Sequence, residues 1–209
     1  MQNQNIKNII FDLGVVLINI DTDLSVKAMK ELGFSNFQES YTLFKQTDLF
    51  NKLEKGLINP TDFRNELRKH IADEVSDDKF NKAWNAMLLD FPKERIDLIK
   101  KLSEKYNIYL LSNTNEIHYN QYIQDFENQF GFDFNSLFVK AYYSFKTGMR
   151  KPDLEIFQTA LSDSKLNPKE TLFIDDLKVN IESAKYAGLQ TLWFDPTKSE
   201  EIINKLNDF

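Results

Sequence analysis

The sequence predicts an α/β fold, a doubly wound and mostly parallel sheet with a helical segment inserted after the first strand. Short, continuously apolar runs such as Ile9–Phe11 and Thr171–Ile174 are typical of parallel strands that are buried on both faces. Segments with helical periodicity separate such runs, and strands that alternate with helices form parallel sheets with right-handed crossovers. Both runs end on a carboxylate, which predicts polar groups at the carboxyl edge of the sheet.

The predicted elements alternate along the chain after the first strand. Residues 22–89 place apolar side chains at helical spacing and predict a bundle of about four helices. The core elements that follow are a helix at 93–106, strands at 108–111 and 139–144, a helix after Pro152, a strand at 171–174, a helix at 179–186, a strand at 191–194 and a helix at 200–206. Residues 124–135 mix the helical and strand periods, so no element is assigned to them.

The insertion divides the chain into a predicted core domain, residues 1–18 and 91–209, and a predicted helical cap domain, residues 19–90. A cap inserted after the first strand would overhang the end of that strand and exclude water from it. In the cap, the segment Glu54-Lys55-Gly56 and Trp84 are candidate contacts for the organic part of a substrate. Trp84 also lies on an apolar helical stripe, which favours a core position.

Three carboxylates follow two of the predicted strands. Asp12 comes directly after the first strand, and Asp175 and Asp176 end the strand at 171–174. Because the carboxyl ends of parallel strands share one edge of the sheet, where ligands of open α/β sheets bind, we expect these side chains to meet. Carboxylates at one place raise one another's pKa unless a positive charge lies among them. The arrangement therefore predicts a divalent metal site.

Two further segments predict that an anion binds beside these carboxylates. The strand at 108–111 ends in Ser112-Asn113-Thr114-Asn115, which offers a hydroxyl and successive backbone N–H groups. Lys151 stands before Pro152, which suits the first position of a helix, and can offer its ammonium group to a phosphate. Taken singly, such residues are more often turn, cap or surface residues. Their joint order along the chain favours a function.

The order Asp12-x-Gly14, Ser112-Asn113, Lys151 and Asp175-Asp176-x-x-x-Asn180 resembles that of the haloacid-dehalogenase-like hydrolases. The resemblance covers the whole chain apart from the insertion. The segments Phe-Asp-Leu-Gly-Val-Val-Leu, Leu-Ser-Asn-Thr-Asn and Gly-Met-Arg-Lys-Pro are most similar to the sugar-phosphate phosphatase branch typified by α-D-glucose-1-phosphate phosphatase. The resemblance implies a Rossmann-like core with a helical cap, and a Mg²⁺-dependent phosphatase that hydrolyses a small phosphomonoester.

The resemblance also implies which residues hold the metal. Mg²⁺ would be bound by Asp12, the Gly14 carbonyl and Asp176, a set of hard oxygen ligands that suits this ion. Asp175 would act from farther out, through a metal-bound water. Asn180, four residues after Asp176 in a predicted helix, would share its face and orient that carboxylate.

The remaining implied roles concern the phosphate. Asp12 would attack phosphorus and become an aspartyl phosphate, since a carboxylate is ionised at neutral pH without a base. Ser112 and the Asn113 backbone would bind phosphate oxygens, and Lys151 would contact both the nucleophile and the phosphate. These roles predict that the substrate is a small phosphorylated metabolite, such as a sugar phosphate.

Gly14 departs from the usual pattern of the superfamily, in which a second aspartate two residues after the nucleophile protonates the leaving group. A general acid contributes about 10²–10⁴-fold in rate, so we expect good substrates to have easily expelled alkoxides, as sugar 1-phosphates do. The same absence argues against a phosphomutase. Asn19, Asp21, a cap residue or a metal-bound water are the alternatives for a proton source.

Two other functions stay open at this point. A 2-haloacid dehalogenase uses an equivalent aspartate on carbon without a metal, but the pair Asp175-Asp176 would repel an anionic haloacid. A catalytically silent phosphometabolite-binding protein is the second alternative, because Gly14 replaces the usual acid. His118, on a predicted helix after the Ser112 segment, is either a substrate contact or, more often, a structural imidazole.

Composition restricts the classes of protein and partner. The 209 residues include 18 phenylalanines, a net charge of −6 and no cysteine, which excludes disulfides, thiol catalysis and cysteine metal sites. Interspersed charges predict no nucleic-acid partner, and the absence of a long apolar run or leader-like start predicts no membrane association and a cytoplasmic location. We expect a monomer or weak dimer. Phe37 and Tyr41 are candidate partner contacts in the cap.

Overall fold

The computed structural model describes residues 5–34, 48–71 and 74–207. Within these residues, five parallel strands form one sheet in the order β3-β2-β1-β4-β5. The strands are β1 (Asn8–Phe11), β2 (Asn107–Ser112), β3 (Lys140–Tyr143), β4 (Thr171–Asp175) and β5 (Gln190–Trp193). The predicted doubly wound, parallel α/β fold is confirmed. Because β1 pairs with β2 on one side and β4 on the other, its carboxyl end lies at the middle of the sheet.

The α-helices of the described residues alternate with these strands. They are α1 (Thr22–Glu31), α2 (Leu49–Glu54), α3 (Pro60–Arg68), α4 (Asp77–Asn85), α5 (Lys93–Ser103), α6 (Glu116–Phe130), α7 (Ser144–Thr147), α8 (Leu154–Asp163), α9 (Lys178–Tyr186) and α10 (Ser199–Asn207). No helix in the described ranges is long and apolar enough to cross a membrane.

Alternate residues of β1 supply the two cores on either face of the sheet. Ile9 and Phe11 pack in a cluster that contains apolar residues of α5, α6 and α10. Ile10 points the other way and packs with Phe157 of α8 and Ile181 of α9. All five side chains are at most 4% exposed, and burial of each such side chain contributes about 1.5–3 kcal/mol relative to exposure. This two-sided burial fixes the position at which β1 ends.

Helices α1 to α4 form a separate apolar cluster centred on aromatic side chains. Phe63, Phe80 and Trp84 pack edge-on or stacked against one another, with ring centroids 4.9–6.4 Å apart. The segments that enter and leave this region run side by side, because Asn19 exchanges backbone hydrogen bonds with residues 89 and 90 at 3.0 and 2.9 Å. The division into core and cap domains at residues 19–90 stays a prediction.

Several predicted boundaries differ from the structure. The helix after Lys151 begins at Leu154 rather than Pro152, because Asp153 closes a turn by donating its N–H to the Arg150 carbonyl at 3.0 Å. Strand β3 ends at Tyr143, where α7 begins. In the unassigned segment 124–135, α6 continues to Phe130 and Gly131 ends it with a left-handed φ of 78°. Phe37 and Tyr41 lie outside the described residues.

Candidate active site

The candidate site lies at the carboxyl ends of β1, β2 and β4. Phe11, the last residue of β1, is in register with Leu110 of β2 and Ile174 of β4. Asp12 continues this pairing and donates its N–H to the Ile174 carbonyl at 2.9 Å. The register therefore brings Asp12 beside Asp175, although the two residues are far apart in the sequence.

Lys151 joins these two strand ends from a buried position. Its side chain is 1% exposed, and its ammonium lies 2.7 Å from Asp12 Oδ1 and 2.8 Å from Asp175 Oδ2. Burial alone would lower the pKa of Lys151, but the two carboxylates outweigh burial and raise the pKa above its ordinary value. Lys151 is therefore a fixed cation between a partly accessible carboxylate and a fully buried one.

Asn113 holds the backbone of Lys151. Its side-chain amide donates to the Lys151 carbonyl at 2.8 Å, and its side-chain oxygen accepts the Lys151 N–H at 2.9 Å. This reciprocal pair connects the end of β2 to the loop that carries the lysine. From the sequence we expected only the Asn113 backbone to have a role, because the side-chain contact spans 38 residues and leaves no local pattern.

Asp175 is held by protein donors on both oxygens. Oδ1 accepts the Leu177 N–H at 2.8 Å, and the Asn180 side-chain amide donates to both oxygens at 3.0 and 3.1 Å. Asn180 therefore contacts Asp175 and not Asp176, contrary to our expectation. Helix α9 begins at Lys178, so the first turn of the helix aims Asn180 back at the end of β4. Asp175 thus contacts the lysine directly instead of acting only through a water.

The three predicted carboxylates meet in a geometry that suits a cation. Asp12, Asp175 and Asp176 each offer an oxygen, and these oxygens all lie within 4.8 Å of one another. Burial, reinforced by the neighbouring carboxylates and opposed by Lys151, raises the pKa of Asp12 to about 7. Burial and Asp175 raise the pKa of Asp176 to about 6. One lysine does not neutralise this cluster, so the donor set fits a hard divalent ion such as Mg²⁺.

Gly14 stands in a tight turn two residues after Asp12. Its carbonyl accepts the Val16 N–H at 2.6 Å, which leaves a second lone pair for a metal. A Cβ at residue 14 would lie 3.0 Å from Ile20 Cδ1. Residue 14, where an acid is usual in the superfamily, is therefore closely packed against the flexible end of the Ile20 side chain.

The loop after β2, which the sequence predicts to bind phosphate, is only partly free to bind an anion. Ser112 ends the strand and is 1% exposed. The Thr114 N–H donates to the Ser144 hydroxyl at 2.9 Å, and that hydroxyl donates back to the Thr114 carbonyl at 2.9 Å. Among the expected donors, the Ser112 hydroxyl and the Asn113 backbone therefore remain the candidates for phosphate oxygens.

Helix α2 of the cap region contacts the loop that carries Lys151. Glu54 lies 3.1 Å from Arg150, and Lys55 lies 2.8 Å from Asp153. Burial raises the pKa of Glu54, although the charges of Arg150 and Lys151 oppose the shift. An ideal Cβ on Gly56 would lie 2.2 Å from the Phe145 carbonyl oxygen, so this contact requires glycine.

A cavity of about 360 Å³ opens between this part of the cap and the core. Its lining includes the polar side chains of Asn59, Asp62 and Glu116. A larger cavity of about 530 Å³ lies at the opposite end of the sheet, where β2 begins, and is too far from the carboxylates to serve them. The smaller cavity lies beside the contacts of α2 with the core, and Asp12, Asp176 and Lys151 are not among its lining residues.

Trp84 and His118 belong to the packing between α4 and α6. Their rings stack at 5.5 Å with an interplanar angle of 6°, and His118 Nδ1 lies 2.8 Å from Asn85 Oδ1. Burial lowers the pKa of His118 to about 4. The structural interpretation of both side chains therefore fits the structure better than a substrate contact.

The class of protein that these observations define is an α/β protein with a buried lysine and a candidate cation site at the carboxyl edge of its parallel sheet. The chain belongs to the haloacid dehalogenase-like hydrolases, whose family model matches residues 9–194. The family expected from the sequence is confirmed.

Similarity to one named phosphatase and to two solved structures supports this assignment. The chain is 34% identical to the D-ribitol-5-phosphate phosphatase of Bacteroides thetaiotaomicron over 89% of this chain and 90% of the relative. It is similar to a crystal structure of a HAD family enzyme from the same organism in complex with magnesium and inorganic phosphate, with 41% identity, a TM-score of 0.85 and coverage of 90% and 93%. A predicted HAD-like family hydrolase from Porphyromonas gingivalis is 31% identical, with a TM-score of 0.83 and coverage of 95% and 98%.

Proposed function

We propose that this protein is a Mg²⁺-dependent phosphatase that hydrolyses a small phosphomonoester, a sugar or polyol phosphate, through an aspartyl-phosphate intermediate on Asp12. The observation that carries the proposal is the position of Asp12. It ends the central strand, contacts the ammonium of Lys151 at 2.7 Å and shares a cation site with Asp176. The phosphatase relative and the magnesium and phosphate complex of a similar enzyme support the same chemistry.

The cation site would be formed by Asp12, Asp176 and the Gly14 carbonyl. When bound there, Mg²⁺ supplies positive charge for the oxygens of the transferred phosphoryl group. The ionised form of Asp12 is the nucleophile, and its pKa of about 7 in the protein alone indicates that a further positive charge is needed to hold that form. The raised pKa of Asp12 therefore supports a metal-dependent enzyme.

The reaction has two steps on the residues of this chain. An Asp12 oxygen attacks phosphorus while the bond to the leaving alkoxide breaks, and the alkoxide takes up a proton. Water then attacks the aspartyl phosphate, which releases inorganic phosphate and restores the carboxylate. Lys151 stays next to Asp12 in this scheme and binds phosphate oxygens, while Asp175 and Asn113 keep the lysine in place.

The name of the phosphatase relative widens the substrate class. D-ribitol 5-phosphate is a terminal phosphate whose leaving group is a primary alcohol. The proposed substrate class is therefore not restricted to esters with an anomeric leaving group. It contains the terminal phosphates of open-chain polyols as well as sugar 1-phosphates. Asn59, Asp62 and Glu116 line a polar cavity, and their side chains are suitable hydrogen-bond partners for the hydroxyl groups of such a substrate.

The decisive experiment is phosphate release from a panel of esters with Mg²⁺ or with EDTA. The panel contains glucose 1-phosphate, ribitol 5-phosphate and a simple alkyl phosphate. We expect release from sugar and polyol phosphates with Mg²⁺ only, and a loss of at least about 10³-fold in the variant Asp12→Asn. Asp97→Asn, an exposed aspartate of α5 that pairs with Lys93, is the control and should keep near wild-type activity.

Three outcomes would contradict the proposal. Equal activity of the Asp12→Asn variant would remove Asp12 from the reaction. Binding of beryllofluoride at Asp12 without turnover of any ester would favour the silent phosphometabolite-binding protein, and halide release from a 2-haloacid with EDTA would favour the dehalogenase. A cytoplasmic location and a monomeric or weakly dimeric state stay predictions from the sequence.

A further inference from the structure

The turn that follows Asp12 holds a valine in a backbone conformation that valine rarely adopts. Val15 has a φ of 64°, in the left-handed region. The Val16 N–H donates to the Gly14 carbonyl at 2.6 Å, so the three residues form a γ-turn around Val15. A β-branched residue is disfavoured there, and such strain persists only where the surrounding structure imposes it. The same turn contains the Gly14 carbonyl, the backbone oxygen that the proposed function assigns to the cation.

Arg95 contacts this turn from the first turn of α5. Its Nη1 donates to the Val15 carbonyl at 2.6 Å, across 80 residues of sequence. The guanidinium also lies 5.6 Å from the centroid of the Phe194 ring, and the Phe194 N–H donates to the Asp175 carbonyl at 2.8 Å. Arg95 is thus held by a residue that is itself attached to the end of β4, and it contacts the strained turn on its other side.

We propose that Arg95 is a positioning residue for the metal site, which it serves by fixing the Val15 carbonyl so that the Gly14 carbonyl stays directed at the cation beside Asp12. The inference rests on the proposed Mg²⁺-dependent function. Arginine suits the role because its planar, always charged fork donates to a carbonyl in a fixed direction while its face packs on an aromatic ring. A group that orients a metal ligand typically contributes 10–100-fold to metal affinity.

The sign of the effect separates positioning from simple electrostatics. Loss of a cation near a Mg²⁺ site removes repulsion, so charge alone predicts tighter metal binding when Arg95 is replaced by a neutral residue. Positioning predicts the opposite, since the turn is then free to leave the strained conformation and withdraw a ligand. The measured change in Mg²⁺ affinity, tighter or weaker, therefore distinguishes the two explanations.

The test compares Arg95→Met with wild type and with Lys93→Met. Lys93 lies in the same helical turn, is 76% exposed and pairs with Asp97, so its loss removes an equal charge without touching the turn. Mg²⁺ affinity is measured without substrate, from the rise in melting temperature during a Mg²⁺ titration, and separately as the activation constant for phosphate release. We expect Arg95→Met to weaken Mg²⁺ binding about 10–100-fold, with Lys93→Met unchanged.

Two further variants keep the inference testable if Arg95→Met folds poorly. Arg95→Lys retains the charge and one donor and should retain most of the Mg²⁺ affinity. Val15→Gly allows the left-handed φ without strain, so in the Arg95→Met background it should restore part of the affinity. Mg²⁺ affinity that is unchanged or tighter in a folded Arg95→Met protein would overturn the inference while the proposed function stands. A wild-type protein that neither binds Mg²⁺ nor releases phosphate would overturn both.

Discussion

Replacement of Lys151 by methionine tests the electrostatics of the site more directly than any loss of activity. Methionine keeps much of the hydrocarbon volume but removes the ammonium that lies 2.7 Å from Asp12 and 2.8 Å from Asp175. Removal of one partner from a buried ion pair costs about 3–5 kcal/mol, because the remaining charge is left without compensation. Asp175 is fully buried, so the upper part of this range applies.

The free energy of unfolding from urea denaturation, measured with EDTA at pH 7.5, should therefore fall by about 3–5 kcal/mol in Lys151→Met. The pKa of Lys151 is raised above its ordinary value, so its stabilising contribution is fully present at this pH. Without the lysine, the pKa of Asp12 should rise further above 7, and the folded variant should take up protons as the pH falls. The loss of unfolding free energy relative to wild type should accordingly be smaller at pH 5.5 than at pH 7.5. Added Mg²⁺ should also reduce this loss at pH 7.5.

Lys185→Met is the control, because Lys185 is 53% exposed and pairs only with Glu182 one turn away. Its unfolding free energy should change by no more than about 0.5 kcal/mol. A deficit below about 1 kcal/mol in Lys151→Met, or one that grows as the pH falls, would refute the account of a buried cation between carboxylates.

Two further predictions concern the cap region and its packing on the core. Gly56→Ala should destabilise the protein by about 1–3 kcal/mol more than Gly131→Ala. Both glycines have positive φ, but only at Gly56 would a Cβ collide with the Phe145 carbonyl. Equal losses of unfolding free energy in urea denaturation would contradict this prediction. As the pH falls from 7 to 4, the free energy of unfolding of His118→Phe should rise by about 3 kcal/mol relative to that of wild type. The reason is that the pKa of His118 is near 6.5 in the unfolded chain and about 4 in the folded protein, so protonation destabilises only the wild type. Parallel pH dependence of the two proteins would show that His118 does not titrate in this way.

The strand ends were predictable from the sequence because burial on both faces leaves a visible pattern. Ile9 to Phe11 and Thr171 to Ile174 are continuous apolar runs, and the residues after them are polar. The rule that parallel strands present their carboxyl ends at one edge then brings Asp12 and Asp175 together without knowledge of the strand order. Sequence reasoning predicted by this route that the three carboxylates meet, while the assignment of Asp12, the Gly14 carbonyl and Asp176 as metal ligands came from the family resemblance and stays a proposal.

Contacts between distant loops were not predictable by the same route. The Asn113 amide that holds Lys151, and the Arg95 guanidinium that holds Val15, are donors to backbone groups 38 and 80 residues away. Such contacts require only that two loops approach, and no periodicity or motif in the sequence reveals the partner of either side chain. The orientation of Asn180 was wrong for a related reason. Its partner depends on where helix α9 begins, and helix boundaries are the least certain feature of a sequence.

At Gly14, the sequence and the structure each give a different part of the information. The sequence reveals that no acid stands at this position, but the reason lies in the fold. A Cβ there would lie 3.0 Å from Ile20 Cδ1, and Ile20 is itself fixed by its backbone bridge to Leu88 at the entrance to the cap region. An aspartate at residue 14 would therefore require the flexible end of the Ile20 side chain to move aside. The turn is closely packed at the entrance to the cap region, and a proton donor for the alkoxide has to come from a group other than residue 14.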